Sequence, residues 1–152
     1  MFHSTFEKQL DAKRRLLVPQ EFRAAVGPLD GVFCFPSIEH DCIEGGGQAL
    51  FDAYLKVIEE LAFGDPLRSA LETSVLGGMT RLNYDTAGRV TLPEGLCQAF
   101  GLDDWVALVG MGERFQIWPR EAFLAHRASQ LALARSSLPA LRQRQRALAS
   151  PA

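Results

Sequence analysis

The hydrophobic and polar positions of the chain follow the same order twice. An alternating stretch at Ser4–Leu10 predicts a strand, and a polar loop separates it from a short apolar strand at Leu16–Val18. Thr80–Tyr84 and Val90–Leu92 repeat this arrangement in the second half. A proline follows each short strand, where a helix can begin because the first helical position needs no N–H donor. The pattern therefore predicts a strand–loop–strand–helix unit that occurs twice.

The later part of each unit predicts a strand pair and then a longer helix. Gly27 and Gly101 lie where the first helices would end in left-handed caps. The basic segment after Pro139 has no apolar stripe, which predicts a frayed helix or a mobile tail. The predicted strand pairs are Val32–Phe35 with Cys42–Glu44 and Trp105–Gly110 with Phe115–Trp118, and the predicted helices span 48–63, 66–76 and 120–135.

Direct alignment indicates a duplication. Asp11–Val32 aligns without a gap on Asp85–Val106 at an offset of 74, with seven identities in 22 positions. A unit of about 45 residues buries too little apolar surface to be stable alone. We therefore expect an α+β protein in which two units interleave as one pseudo-twofold body with peripheral helices. The alternative architecture is two independent small domains.

Composition limits the class of protein. The 152 residues are 47% hydrophobic and 22% charged, which excludes a wholly disordered chain. No run approaches the roughly 18 apolar residues of a membrane span, and no signal peptide is evident. Three cysteines without a C-x-x-C pair favour a reducing cytoplasm.

The net charge is −2, divided as +2 over 1–27, −7 over 28–76, −1 over 77–127 and +4 over 128–152. The basic ends are compatible with a polyanionic partner.

The polar loops carry the most informative residues. Each contains the pattern D-x-x-x-R, with Asp11 and Arg15 in the first loop and Asp85 and Arg89 in the second. An aspartate can accept backbone N–H bonds and also fix a guanidinium, which leaves other N–H groups of the arginine for a phosphate or a guanine edge. Two copies at equivalent positions favour this interpretation. The alternative is that both pairs only close their loops as salt bridges.

With these motifs the sequence resembles the MraZ regulators, tandem members of the AbrB-like swapped-hairpin superfamily. The resemblance covers Met1 to about Ala128. It rests on Met1-Phe2, the two D-x-x-x-R loops, Val18-Pro19, Leu92-Pro93 and the ending Gly110…Phe115-Gln-Ile-Trp118. We accordingly expect AbrB-like units at 5–51 and 79–122, a helical connection at 52–78, and a C-terminal helix with a basic tail at 123–152.

The resemblance implies a function and a location. It implies a bacterial cytoplasmic, nucleoid-associated transcription factor that assembles into rings and binds direct repeats ahead of the division and cell-wall gene cluster. The chain departs from the family at Arg14, where a glycine is usual and where the second copy keeps Gly88. If this position needs a positive φ, Arg14 is mildly strained; the alternative is that it adds a DNA contact. Gly45-Gly46-Gly47 replaces a less flexible, Pro-containing link and is predicted to be a hinge.

We therefore expect sequence-specific binding to double-stranded DNA. The predicted main contact loop holds Lys13, Arg14 and Arg15, with Asp11 and Asp85 orienting the two loops. The second-rank contacts are Lys8, Arg81 and Arg89. No enzymatic activity, metal, cofactor, small-molecule substrate or membrane partner is expected. The alternative function is a non-DNA oligomeric assembly or an antitoxin-like protein that binds a partner.

Two further features have weaker interpretations. His40, Cys42 and Cys34 could begin a zinc site, but a fourth ligand is not evident, and the cysteines are expected to be buried as apolar residues.

One short basic loop should bind a single DNA site weakly, so we also expect a homo-oligomer larger than a dimer. The apolar positions available for its contacts are the stripe Leu50–Leu61 and Phe123, Leu124, Leu131 and Leu133.

Overall fold

Residues 1–150 form eight strands and five α-helices, and each repeat has its strands and helices in the same order. The computed structural model describes residues 1–150. The first repeat contains β1 (Thr5–Gln9), β2 (Arg15–Leu17), α1 (Gln20–Val26), β3 (Gly31–Pro36), β4 (Ile43–Gly46) and α2 (Gln48–Glu59). After α3 (Pro66–Leu71) and a π-helical turn (Glu72–Leu76), the second contains β5 (Thr80–Asn83), β6 (Arg89–Thr91), α4 (Glu94–Phe100), β7 (Trp105–Gly110), β8 (Phe115–Pro119) and α5 (Arg120–Ala149).

Strands from both repeats form one antiparallel sheet. Its order is β1-β7-β8-β4-β3-β5, so β1 pairs with the second repeat and β5 pairs with the first. The short strands β2 and β6 pair separately as a two-stranded ribbon. The expected α+β fold with interleaved units is therefore confirmed, and the predicted pairs β3–β4 and β7–β8 are both present.

A pseudo-twofold axis relates the repeats. In the ribbon, Leu16 lies opposite Val90, and in the centre of the sheet Ile43 lies opposite Ile117. The members of each pair are 74 positions apart, which is the offset of the sequence repeat. Equivalent residues therefore face one another at both places, as a twofold relation requires.

The core is shared between the repeats. Four aromatic rings, those of Phe2, Phe6, Phe22 and Phe115, pack with neighbouring centroids 5.2–5.3 Å apart. Leu16 and Leu92 are fully buried in the same cluster. Neither repeat contains all of this cluster, so each depends on the other to remove its apolar surface from water.

A polar network lies at the centre of the sheet. The buried carboxylate of Glu44 accepts bonds from Ser37 Oγ at 2.9 Å, Gln116 Nε2 at 3.1 Å and Arg114 Nε at 2.9 Å. Gln116 Oε1 in turn accepts from Trp118 Nε1 at 3.0 Å. Because these partners satisfy the buried carboxylate, the network fixes β4 against β8 without leaving it unpaired. The sequence pattern gave no indication of it.

Close packing explains the three consecutive glycines. Gly45 and Gly46 are buried within β4, and Gly47 precedes α2. A Cβ atom on Gly45 would overlap the ring of Phe115, and one on Gly47 would press on the carbonyl of Val26. The prediction of a hinge is therefore wrong, since Gly45 leaves room for Phe115 of β8 and Gly47 leaves room for α1.

The helical segments differ in detail from the prediction. Helix α2 ends at Glu59, and the helix expected at 66–76 is regular only to Leu71 before the π-helical turn. The wider turn places Val75 in a small apolar cluster with Phe35 and Leu50. Gly101 ends α4 in the predicted left-handed conformation, whereas Gly27 has φ 86° and ψ −145°, which is an extended form open to glycine.

Contacts divide the chain into two compact units, Met1–Arg120 and the segment from Glu121 onward. Helix α5 continues through Pro139 to Ala149, so the basic segment is helical as far as Ala149. The residues that follow Pro139 are mainly Ala, Leu, Arg and Gln, which have high helix propensity. Among residues 1–150, no helix combines the length and apolar character needed to cross a membrane.

Separating the repeats should unfold both. Gly64 is exposed in the connection, and a protease site placed there would divide the chain without altering either repeat. We expect each purified fragment to lack a cooperative thermal transition by circular dichroism, because each loses half of the shared core. Mixing the fragments should restore the transition seen for uncut protein refolded in the same way. A cooperative transition in either fragment alone would contradict interleaving.

Candidate nucleic-acid interface

The first loop is built around the carboxylate of Asp11. Its Oδ1 accepts the backbone N–H groups of Lys13 at 2.9 Å and Arg15 at 2.8 Å, while Oδ2 accepts from Arg15 Nε. The backbone closes the same loop, since the N–H of Arg14 donates to the carbonyl of Asp11 at 3.0 Å. One side chain thus fixes both the path of the loop and the direction of the arginine.

The second loop repeats this arrangement atom for atom. Asp85 Oδ1 accepts the N–H groups of Ala87 and Arg89, both at 2.9 Å, and Oδ2 accepts from Arg89 Nε at 2.8 Å. The N–H of Gly88 donates to the carbonyl of Asp85 at 3.0 Å. Both predicted aspartates therefore hold the arginine four residues later in the chain.

The loop requires a left-handed residue before its arginine. Arg14 has φ 60° and Gly88 has φ 82°. Glycine adopts this conformation without steric cost, whereas a residue with a Cβ atom is mildly strained there. The strain expected for Arg14 from the sequence is present.

The β2–β6 ribbon brings the two loops together. Arg15 lies opposite Thr91 and Arg89 lies opposite Leu17, while Leu16 and Val90 point into the core. Side chains alternate along a strand, so both arginines occupy the outer face of the ribbon. Arg89 Nη1 lies 3.9 Å from Asp11 Oδ2, so Asp11 contacts the arginines of both loops.

The paired arginines remain accessible to an external anion. The side chains of Arg15 and Arg89 are 34% and 35% exposed, and both aspartates bind them through Nε. The terminal nitrogens of Arg15, and those of Arg89 apart from the long contact of Nη1 with Asp11, therefore remain for a phosphate or a base edge. Lys13 is exposed on the first loop and adds a third cation.

The carboxylates are held in their charged form. The backbone N–H of Arg15 is the largest cause that lowers the pKa of Asp11, and the N–H of Arg89 has the same effect on the pKa of Asp85. The side chain of each arginine lowers the pKa further, while partial desolvation raises it. Near neutral pH each loop therefore contains a charged acceptor for its arginine.

The other predicted contacts lie elsewhere or are partly occupied. Arg14 is half-buried and donates from Nε to the carbonyl of Leu92 at 3.1 Å. Lys8 is half-buried on β1, and Arg81 is exposed on β5. Since β1 and β5 are the two edges of the sheet, Lys8 and Arg81 do not join one cluster.

Sequence reasoning missed three residues at this interface. Leu17, which is 41% exposed, and Thr91 share the outer face of the ribbon with the arginines. Arg23 on α1 donates from Nη1 to the carbonyl of Gly88 at 3.3 Å. Side chains alternate along a strand, so the buried Leu16 would have identified Leu17 as an outward residue. Arg23 has Cys97 as its repeat partner, and this difference would have pointed to Arg23.

The cysteines are buried, as the apolar interpretation predicts. Burial raises the pKa of Cys34 to about 12 and that of Cys42 to about 12, with desolvation as the main cause. Both thiols therefore stay protonated near neutral pH. Within residues 1–150, no group of three His, Cys, Asp or Glu side chains could hold a metal ion.

Comparison with known proteins agrees with these motifs. The family described as "MraZ protein, putative antitoxin-like" matches residues 1–73 and 75–145. The chain is 76% identical over 148 residues to "Transcriptional regulator MraZ" of Phenylobacterium zucineum (strain HLK1), covering 97% of this chain and 92% of the relative. It is 72% identical over 148 residues to the protein of the same name from Caulobacter vibrioides (strain NA1000 / CB15N), covering 97% and 95%. A protein of that name from Rickettsia bellii (strain OSU 85-389) is 36% identical over 145 residues, covering 93% and 97%.

Acid should release both loops. A carboxyl group whose pKa is lowered on folding stabilises the fold above its unfolded value, and this contribution is lost as the pH falls through the folded value. We expect carboxyl carbon titrations by NMR to give midpoints below 3.8 for Asp11 and Asp85, with the amide resonances of the loops changing over the same range. Asp11→Asn should abolish the transition in the first loop only. A midpoint at or above 3.8 for either aspartate would contradict the geometry.

Proposed function

The chain belongs to the MraZ family, whose named relatives are transcriptional regulators, and on this premise we propose that it binds double-stranded DNA through the outer face of the β2–β6 ribbon. It is a transcription regulator and not an enzyme. The proposed location is the bacterial cytoplasm, at the nucleoid.

One observation carries this proposal. Arg15 and Arg89, each held by its own aspartate, meet on one surface, and Asp11 contacts both. Exposed ion pairs of this kind contribute little to stability. Their energetic contribution to the fold is therefore small, whereas two guanidinium groups held in defined directions suit recognition of a planar or anionic partner.

The chemistry of the ribbon suits a DNA groove. A two-stranded ribbon can enter the major groove, where arginine donates two bonds to guanine O6 and N7. In our proposal Arg15 contacts a guanine, Arg89 occupies the equivalent position on the other side of the axis, and Lys13 binds phosphate. Leu17 lies opposite Arg89 and two residues after Arg15 on the same face, and it would contact a thymine methyl group.

Several copies must act together for useful affinity. Each subunit offers few cations at its ribbon, so one subunit should bind one short site weakly at physiological salt. We propose a ring-like homo-oligomer that binds direct repeats about one helical turn apart. The proposed target is the set of direct repeats upstream of the division and cell-wall gene cluster, to which the family resemblance points.

The description "antitoxin-like" favours a second candidate function, the binding of a protein partner. The salt dependence of binding distinguishes the two. Phosphate contacts release counterions, so binding to DNA should weaken steeply as salt increases. A protein partner held by apolar contacts would show little change over the same range.

Arg15→Ala should weaken DNA binding by about 1–3 kcal/mol if the side chain contacts a base. The measurement is fluorescence anisotropy with a labelled fragment from the chain's own upstream region, repeated over a salt series. Lys56→Ala is the matched control, because Lys56 is an exposed cation on α2. Undiminished binding by a folded Arg15→Ala protein would refute the assignment.

Affinity should collapse when the repeats in the fragment are reduced to one. Multi-angle light scattering should give a mass larger than that of a dimer, since adjacent ribbons are needed to occupy adjacent repeats. A scrambled repeat of the same length keeps the phosphate charge constant and serves as the control. A monomer at micromolar concentration that binds a single repeat tightly would contradict the proposed assembly.

A further inference from the structure

The two loops differ at one position, and the helices that face them differ at the equivalent position of the repeat. Arg14 in the first loop corresponds to Gly88 in the second. Arg23 on α1 corresponds to Cys97 on α4 at the same offset of 74. Each loop lies against the other repeat. In the second loop the small Gly88 lies beside the large Arg23, whereas in the first loop the large Arg14 lies near the small Cys97.

At the second loop, the large residue comes from the helix. Arg23 Nη1 donates to the carbonyl of Gly88 at 3.3 Å, and the N–H of Val18 donates to the same carbonyl at 3.2 Å. A Cβ atom built on Gly88 would overlap the Arg23 guanidinium. The glycine at position 88 therefore serves two purposes, because it permits the positive φ and leaves room for Arg23.

At the first loop, the large residue comes from the loop itself. Arg14 Nε donates to the carbonyl of Leu92 at 3.1 Å, and the N–H of Leu92 donates to the carbonyl of Arg14 at 2.9 Å. Cys97, the counterpart of Arg23, is buried. Arg14 lies near enough to lower the pKa of the Cys97 thiol, against the larger raising effect of burial.

We infer that Arg14 and Arg23 are both positioning residues, each placing one guanidinium between a loop and the opposite repeat. This inference rests on the proposed function, since the purpose of the positioning is to aim Arg15 and Arg89 at DNA. In each case the guanidinium binds a backbone carbonyl beside the β2–β6 ribbon, so it fixes the loop without engaging the aspartate. The base contact then belongs to Arg15, and Arg14 fixes the loop that carries it.

The test gives the second loop the residue combination of the first, by substitutions at positions 23 and 88. Arg23→Cys should leave the second loop without its guanidinium, and Gly88→Arg alone should collide with Arg23. The double variant Arg23→Cys with Gly88→Arg recreates in the second loop the combination present in the first. Arg23→Lys keeps the charge but not the planar donor group, and it remains informative if Arg23→Cys does not fold.

Two readouts are needed, one of which does not involve DNA. Nitrogen-15 relaxation of the amides of Thr86, Ala87 and Gly88 measures the order of the second loop. We expect each single substitution to lower that order and to weaken DNA binding about tenfold, as loss of a hydrogen bond from a charged group would. The double variant should recover the order of the loop and bind DNA within about twofold of the unmodified protein, because a guanidinium is again present.

The outcomes separate the inference from the proposed function. Unchanged loop order in a folded Arg23→Cys protein would overturn the inference, and so would a double variant whose losses are those of the two single variants combined. If the unmodified protein fails to bind DNA at any salt concentration, the proposed function is wrong, while the relaxation data still decide whether Arg23 positions the loop.

Discussion

The antiparallel pairing of β2 with β6 is the constraint on which the rest of the structure depends. Leu16 and Val90 face one another in the ribbon and are buried, so the ribbon cannot separate without exposing the core that both repeats share. The same register fixes the outward side chains. Because a strand alternates its faces, burial of Leu16 and Val90 obliges Arg15 and Arg89 to point away from the core.

Stability and recognition therefore use different residues of the same short strands. Burial of a large apolar side chain contributes about 1.5–3 kcal/mol, whereas an exposed ion pair contributes little. The inward residues dominate the free energy of folding, and the outward arginines and aspartates can vary with little effect on it. The aspartates contribute order, since each fixes a loop by two backbone bonds and directs one guanidinium.

Much of the fold could be predicted because the sequence repeat marks it twice. The prolines, the D-x-x-x-R loops and the strand pairs recur at one offset, and the positive φ of Arg14 follows from Gly88 at the equivalent position. The order of strands in the sheet could not be predicted, since it depends on which edges of the two repeats meet. The buried Glu44 and the tight packing of Gly45 also depend on that meeting, because their partners Gln116 and Phe115 are about 70 positions away.

The candidate site was only partly predictable. Pattern and chemistry identify the loops and their ion pairs, but they treat Arg14 as a direct contact because they do not show that its Nε binds the Leu92 carbonyl. They also miss Arg23, which is 65 positions from its carbonyl partner on Gly88. Residues that act across the pseudo-twofold axis become visible only when the repeats are placed against each other.

The most direct test of this account is an NMR titration of the arginine Nε–Hε resonances with duplex DNA from the chain's own upstream region. The resonances of Arg15 and Arg89 should shift together and saturate at one DNA concentration, because both lie on the same face of the ribbon. That of Arg114, which is paired with Glu44 in the sheet, should not change. Unchanged Arg15 and Arg89 resonances at saturating DNA would contradict the claim that the ribbon is the DNA-binding surface.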